Sequence, residues 1–267
     1  MHLMPIFDFG SVDERFPGSN NRNWGYDPKN FNVPEGSYCS NPYNPVTRIL
    51  ELRQMIMKFH ERGIRVVMDM VYNHMMSTVN MDNIVPGYYF RSDYLGRYTN
   101  GSGCGNELAS ERPMVRKFII DSCLHWIKDY KIDGIRFDLM ELLDIDTTKE
   151  IVKKTTKLDK NFLIYGEPWK GGSSPLVNGT YKGSQKNENF SIFNDTFRDA
   201  IRGNNHPSSG FINGNQYSSI CNWSIIEGLK GSIYTITSNP NESINYVDAH
   251  DNYTLWDQVE KKSKSIY

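Results

Sequence analysis

One run of residues narrows the fold more than any other. Residues 64–74 read IRVVMDMVYNH, β-branched and continuously apolar at first, which marks a strand buried on both faces. Before it, TRILELRQMIMKFHERG places Ile49, Leu52, Ile56 and Phe59 at helical spacing, and Gly63 ends the pattern. After it, a long loop leads to a second helical pattern near 112–130. Pro113 suits its first turn, and Val115, Phe118, Ile119, Trp126 and Ile127 form its apolar stripe. The pair DG at 133–134 then turns the chain into another strand, 134–139. Strand, helix, strand in that order implies a parallel sheet with right-handed crossovers.

The same alternation continues on both sides. LMPIFDF (3–9) reads as a strand and is followed by a Gly/Asn/Pro-rich loop through roughly 10–45. Asp146 is placed to cap a helix over 147–158. NFLIYGEPW (161–169), NFSIFND (189–195) and SINYVDAHDN (243–252) read as further strands, with helical TFRDAIRG behind the second of them. That makes six strands in an α/β chain. An eight-stranded barrel needs two more, so the residues alone leave an open sheet and part of a barrel both standing.

Composition removes several function classes. The chain has 267 residues, enough for a full hydrophobic core in one domain. Its formal net charge is −1 with Lys and Arg scattered, which argues against a nucleic-acid partner, since such binders carry a basic stripe. No apolar run approaches the ~20 residues of a membrane-spanning helix, so no membrane partner is expected. Cys39, Cys104, Cys123 and Cys221 show no CxxC spacing, which speaks against zinc and against a disulfide framework, and leans weakly towards a reducing, cytoplasmic compartment. No signal peptide precedes the first strand, although a longer parent could have lost a leader and be secreted.

Two charges sit inside the strand GIRFDLMEL: Arg136 and Asp138. Charged residues are rarely buried unless paired or functional. The pair is two residues apart on a strand and so points one way. Acidic residues recur in the other strands: Asp69 within 64–74, Glu167 at the end of 161–169, Asp248 and Asp251 at the end of 243–252. The C-terminal strand ends of a parallel α/β fold form its active site, so these carboxyl groups are expected to converge. Like charges then raise at least one pKa, while Arg136 is expected to hold Asp138 ionised as a nucleophile. Glu167 precedes Pro168 and Trp169, whose ring could desolvate it into a proton donor. His74 and His250, beside Asn73 and Asp251, look like hydrogen-bonding partners for hydroxyls.

These residues resemble a family. DMVYNH (69–74), GIRFDLM (134–140), YGEPW (165–169) and YVDAHDN (246–252) are similar, in order, to the four short conserved regions of the α-amylase superfamily of glycoside hydrolases. NWGYDP (23–28) resembles the motif of type I pullulanases, and GGSSPL (171–176) and FNDTFRDAIRG (193–203) also look like pullulanase segments. The resemblance implies a (β/α)8 TIM barrel and a retaining double displacement on α-1,6-glucosidic branches of pullulan, amylopectin or limit dextrins. It implies Asp138 as nucleophile, Glu167 as acid/base and Asp251 as the third acid. Tyr26, Asp69, Asn73, His74, Arg136, Trp169 and His250 match substrate-binding positions, Asp69 in a supporting place and Tyr26 as the ring that stacks on the reacting sugar.

The pattern also departs from the family. Strand 3–9 corresponds to the second barrel strand and 243–248 to the seventh, so the first and eighth are expected to be missing. The expectation is one partial catalytic barrel domain over 1–267, no second domain, and weak activity for this chain alone, since a barrel with open edges holds its groups poorly. Two other readings stay open: a branching-enzyme-like α-glucan transferase, and an inactive glucan-binding fragment. No organic cofactor is implied. Relatives sometimes carry a structural Ca2+ ion, but no EF-hand-type loop is present.

Overall fold

The structure, a computed structural model, describes residues 1–16, 23–205 and 208–263. It divides into two compact units, 1–181 and 182–267.

In the first unit, β1 (His2–Leu3), β4 (Val67–Met70), β5 (Gly134–Phe137) and β6 (Leu163–Gly166) lie side by side in that order, every pair parallel. Between β1 and β4 run β2 (Phe7–Phe9), β3 (Pro28–Pro34) and α1 (Pro45–His60). The short α2 (Val79–Asp82) and long α3 (Pro113–Tyr130) connect β4 to β5, and α4 (Ile145–Leu158) connects β5 to β6. This is a mixed α/β architecture on parallel strands. The strands β4 and β5 are buried throughout. Val115, Ile119, Trp126 and Ile127 are all buried on α3. On α1 only Ile56 is fully buried, with Ile49, Leu52 and Phe59 half-covered beside it.

The helix ends follow local chemistry. Asn44 caps α1 with Pro45 in the first turn, and its side chain accepts from the Val46 amide at 3.1 Å. The cap of α4 is Asp144, not Asp146. Its carboxylate accepts from Thr147 N at 3.0 Å and is held by Arg116 at 2.7 Å, which leaves Asp146 in the first helical turn. Both aspartates offer the same acceptor, but only Asp144 has the guanidinium beside it.

Two further expectations change. The segment 3–9 is not one strand: Leu3 belongs to the parallel ladder with β4, while Phe7–Phe9 pairs antiparallel with β3. Pro5 lies between them and lacks the N–H a ladder needs. The strand β3 itself lies inside the expected loop 10–45. Its buried positions are Pro28, Phe31 and Pro34, a spacing of three that does not read as a strand, and prolines stand at both ends.

Under β3 lies the aromatic core. Trp126 has no exposed surface, donates its indole N–H to the Phe31 carbonyl at 2.9 Å, and sits 4.6 Å from the Tyr130 ring. Phe31 is 5.0 Å from Tyr72 and 5.9 Å from Phe7. Trp126→Ala removes both the volume and the donor, so it is expected to cost ~3–5 kcal/mol, measured as a lowered urea midpoint.

In the second unit, β7 (Ser191–Asn194) and β8 (Ser243–Asn245) pair in parallel, with α5 (Asp195–Arg202) and α6 (Ser219–Leu229) between them in sequence and α7 (Leu255–Ser263) following. Asn194 caps α5 through Phe197 N at 3.1 Å and also donates to Asn245 at 3.0 Å, so the last residues of the two strands are tied together. Cys39, Cys104, Cys123 and Cys221 are free thiols. Among the described residues no helix is long and apolar enough to cross a membrane.

Candidate active site

Strand register builds the site. Asp69 pairs with Arg136 across β4 and β5, and Arg136 pairs with Tyr165 across β5 and β6. Level residues on parallel strands point to one side, so these three form a row. Two residues further along, Asp138 and Glu167 occupy the next row on the same side. The ladder continues far enough to fix them: Asp138 N donates to Met70 O at 3.1 Å, and Glu167 N to Phe137 O at 3.1 Å.

Arg136 joins the carboxyl groups. It is 2% exposed, and its Nη1 donates to Asp69 Oδ1 at 2.8 Å and to Asp138 Oδ1 at 2.9 Å. Its Nη2 lies 2.5 Å from Glu167 Oε1. One guanidinium therefore bridges Asp138 and Glu167 while resting on the fully buried Asp69. Asp138 also accepts from Asn73 Nδ2 at 2.8 Å, and Glu167 from the Leu139 amide at 3.0 Å. Leu139 has φ +42°, left-handed backbone that a leucine seldom adopts, and the turn aims its N–H at Glu167. His74 Nδ1 lies 2.6 Å from Asn73 Oδ1, an acceptor, so that nitrogen carries the proton. The result is a chain His74–Asn73–Asp138.

Tyr26 closes one side. Its hydroxyl donates to Asp69 Oδ2 at 2.9 Å, and the Arg136 guanidinium lies 6.0 Å from its ring centre. Trp169 follows Glu167 on the loop beyond β6 and is half-buried. His250 and Asp251 belong to the second unit, in the loop after β8. Both are exposed, and Asp251 accepts from Asn252 Nδ2 at 3.1 Å.

Electrostatics separates the groups. Burial pushes the Glu167 carboxyl up to about 7, with Arg136 pulling it down and Asp138 pushing it up. Burial also raises Asp138 above the ordinary aspartate range, against the pull of Arg136 and Asn73. Arg136 pulls Asp138 towards the ionised form, as expected, but desolvation is the larger effect. Asp69 stays below its ordinary value despite burial, because Arg136 and His2 oppose the desolvation. Burial lowers His74 to about 4, so it is a neutral imidazole at neutral pH.

Three contributors escaped the sequence reading. His2 Nε2 lies 3.4 Å from Asp69, and the Tyr165 hydroxyl lies 3.2 Å from His2 Nδ1. Leu139 acts through its backbone. Only the pairing register, which sequence does not state, puts His2 beside Asp69 and Tyr165 beside His2. A second acidic group lies elsewhere: Asp8, Glu14 and Glu35 bring carboxylate oxygens within 4.8 Å of one another. Glu14 is taken up by Arg48 at 2.7 Å and Glu35 by the amides of Phe9 and Ser37 at 3.1 and 2.7 Å. Arg48 supplies positive charge there.

Carboxyl groups gathered by one guanidinium at the C-terminal ends of parallel strands place the chain, by architecture, with α/β proteins whose acid/base groups stand at that end. Known proteins narrow the class. The chain is 42% identical over 271 residues to the pullulanase of Bacillus subtilis, covering 97% of this chain and 37% of that protein. The pullulanase of Bacillus acidopullulyticus superposes with a TM-score of 0.94 at 44% identity, over 99% of this chain and 33% of that one. The pullulanase of Paenibacillus barengoltzii, in complex with maltohexaose and alpha-cyclodextrin, gives 0.93 at 41% identity, over 98% and 42%. No protein-family model matches the chain. The chain spans about a third of the length of the relatives it matches. By sequence and by fold it is similar to that part of these pullulanases.

Proposed function

We propose that the chain forms catalytic substance of a pullulanase-type debranching enzyme: a retaining glycoside hydrolase that cleaves α-1,6-glucosidic linkages in pullulan, amylopectin or limit dextrins. The observation that carries the proposal is the bridging of Asp138 and Glu167 by Arg136, with Glu167 held near neutral pKa. Two carboxyl groups in one site with environments that favour different protonation states are what glycoside hydrolysis needs. One planar guanidinium reaching both fits the ~5–5.5 Å separation of a retaining pair better than the ~6.5–9.5 Å of an inverting one. The likeness to pullulanases supports hydrolysis over chain transfer.

In this reading the Asp138 carboxylate attacks the anomeric carbon while Glu167 gives its proton to the departing glycosidic oxygen. An ester between sugar and Asp138 results. Water then attacks the anomeric carbon, Glu167 takes the water's proton, and the Asp138–sugar bond breaks. Asn73 and Arg136 aim the Asp138 oxygens, and neutral His74 fixes the Asn73 amide. Asp69 anchors Arg136. Tyr26 and Trp169 offer rings to the substrate, while His250 and Asp251, the third acid, belong to the second unit and are assigned here on the family resemblance. The scaffold in this reading is part of a (β/α)8 barrel. Proton NMR of pullulan digestion is expected to show the α-anomer first; an initial β-anomer overturns retention, and glucan rearrangement without new reducing ends overturns hydrolysis.

A further inference from the structure

Outside the catalytic row, one buried ion pair joins three loops. Arg91 and Glu107 are 2% and 0% exposed, with Arg91 Nη1 2.9 Å from Glu107 Oε2. Both residues lie in the long segment after β4. Arg91 Nη2 also donates to the Leu142 carbonyl at 2.9 Å, in the turn after Asp138. Glu107 Oε2 accepts from Ser174 Oγ at 2.7 Å, in the segment after Glu167, and its Oε1 from Gly101 N at 3.3 Å. Asp69 lies on the first of the strands these loops leave, and Asp138 and Glu167 directly follow the other two.

The sequence GGSSPL is shaped for this contact. Gly172 N donates to Gly101 O at 2.8 Å. A Cβ on Gly171 would lie 2.5 Å from Ser102 O, and one on Gly172 would lie 2.7 Å from Asn100 O. Only glycine lets the two backbones meet this closely. A buried ion pair is weak evidence for stability, since an apolar pair of similar volume often serves as well. A pair that reaches the exit loops of the three strands that carry or lead into the site carboxyls has another use.

We infer that Arg91 and Glu107 are positioning residues which, through Ser174, set the loop leaving β6 and with it the placement and water exclusion of Glu167. The inference rests on the glycosidase reading for its kinetic arm. Glu167 itself is faced by Arg136 and Asp138 from β5 and feels Asp69 from β4, while Lys170 on its own loop pairs with Glu141 at 3.1 Å. None of these is altered by a change at Ser174. Cys104, exposed on the 100–106 loop, gives a second readout, because Cys39, Cys123 and Cys221 are buried.

The test is Ser174→Ala, which removes the hydroxyl and leaves the Arg91–Glu107 pair in place. Looser packing admits water to Glu167 and lowers its pKa. Because the acid form starts the reaction, the alkaline limb of kcat on pullulan is expected to move to lower pH. Misplacement is expected to cost on the order of 10-fold in kcat, with a smaller change in KM, and Ser174→Thr should restore both. Iodoacetamide should label Cys104 faster in Ser174→Ala than in the parent. An unchanged pH limb and kcat, with at most a lower melting temperature, overturn the inference. If the parent releases no reducing ends from pullulan, the glycosidase reading fails; the labelling comparison then decides alone whether the three loops are joined, and equal rates overturn that too. Glu107→Gln should reproduce the Ser174→Ala effects more strongly wherever it folds.

Discussion

Replacing Asp138 by asparagine is expected to lower turnover on pullulan by on the order of 10,000-fold while leaving the fold intact. The amide cannot form the ester to the sugar, so chemistry stops at the first step. Folding should be spared for two reasons. The side chain keeps its shape, and its amide oxygen still accepts from one of the two present donors, Arg136 at 2.9 Å or Asn73 at 2.8 Å. The variant also removes a carboxyl whose ionisation burial already opposes. Circular dichroism melts and maltooligosaccharide binding, measured beside turnover, separate the two effects. Near-parental turnover in Asp138→Asn would end the assignment of this residue as nucleophile.

Glu167→Gln should behave differently. The general acid is worth ~100- to 10,000-fold in such steps, and the loss should fall mainly on substrates whose leaving oxygen needs a proton. A glycosyl fluoride, whose leaving group needs none, should lose far less. The pH profile carries the sharper signature. With the Glu167 carboxyl at about 7, its protonated form disappears as pH rises through that value, so on the proposed mechanism the parent should show an alkaline limb near 7. In the glutamine variant that limb should vanish. Stability follows the same proton. A carboxyl raised on folding binds its proton more tightly in the native chain than in the unfolded one, so its stabilising contribution is complete below the unfolded value and is lost as pH rises through about 7. Glu167→Gln should therefore flatten the decline of melting temperature between mildly acidic and mildly alkaline pH.

Much of this site is legible in the sequence because strands encode it twice. The parity of Arg136 and Asp138 states that they share a face, and an apolar run around them states that the face is buried. Helix stripes on α1 and α3 read correctly for the same reason, a period that burial enforces. What the sequence hides is anything set by register or by loop geometry. His2 reaches Asp69, and Tyr165 reaches His2, only through strand pairing. Arg91, Glu107 and Ser174 sit in loops spread over 83 positions (174 − 91), and loops have no period to read. The strand β3 fails to announce itself because its buried residues fall every third position. The choice of Asp144 over Asp146 turns on Arg116, a partner 28 residues upstream.

The floor made by Asp69, Arg136, Asp138 and Glu167 has one cation for three acids. Even with Glu167 neutral it keeps a surplus of one negative charge, held in a poorly hydrated place where fields are strong. A sugar ring that turns cationic as its bond loosens would feel that surplus as attraction, whereas the neutral ring that arrives would scarcely notice it. The unequal charge count is thus a standing preference for the fleeting species over the resting one.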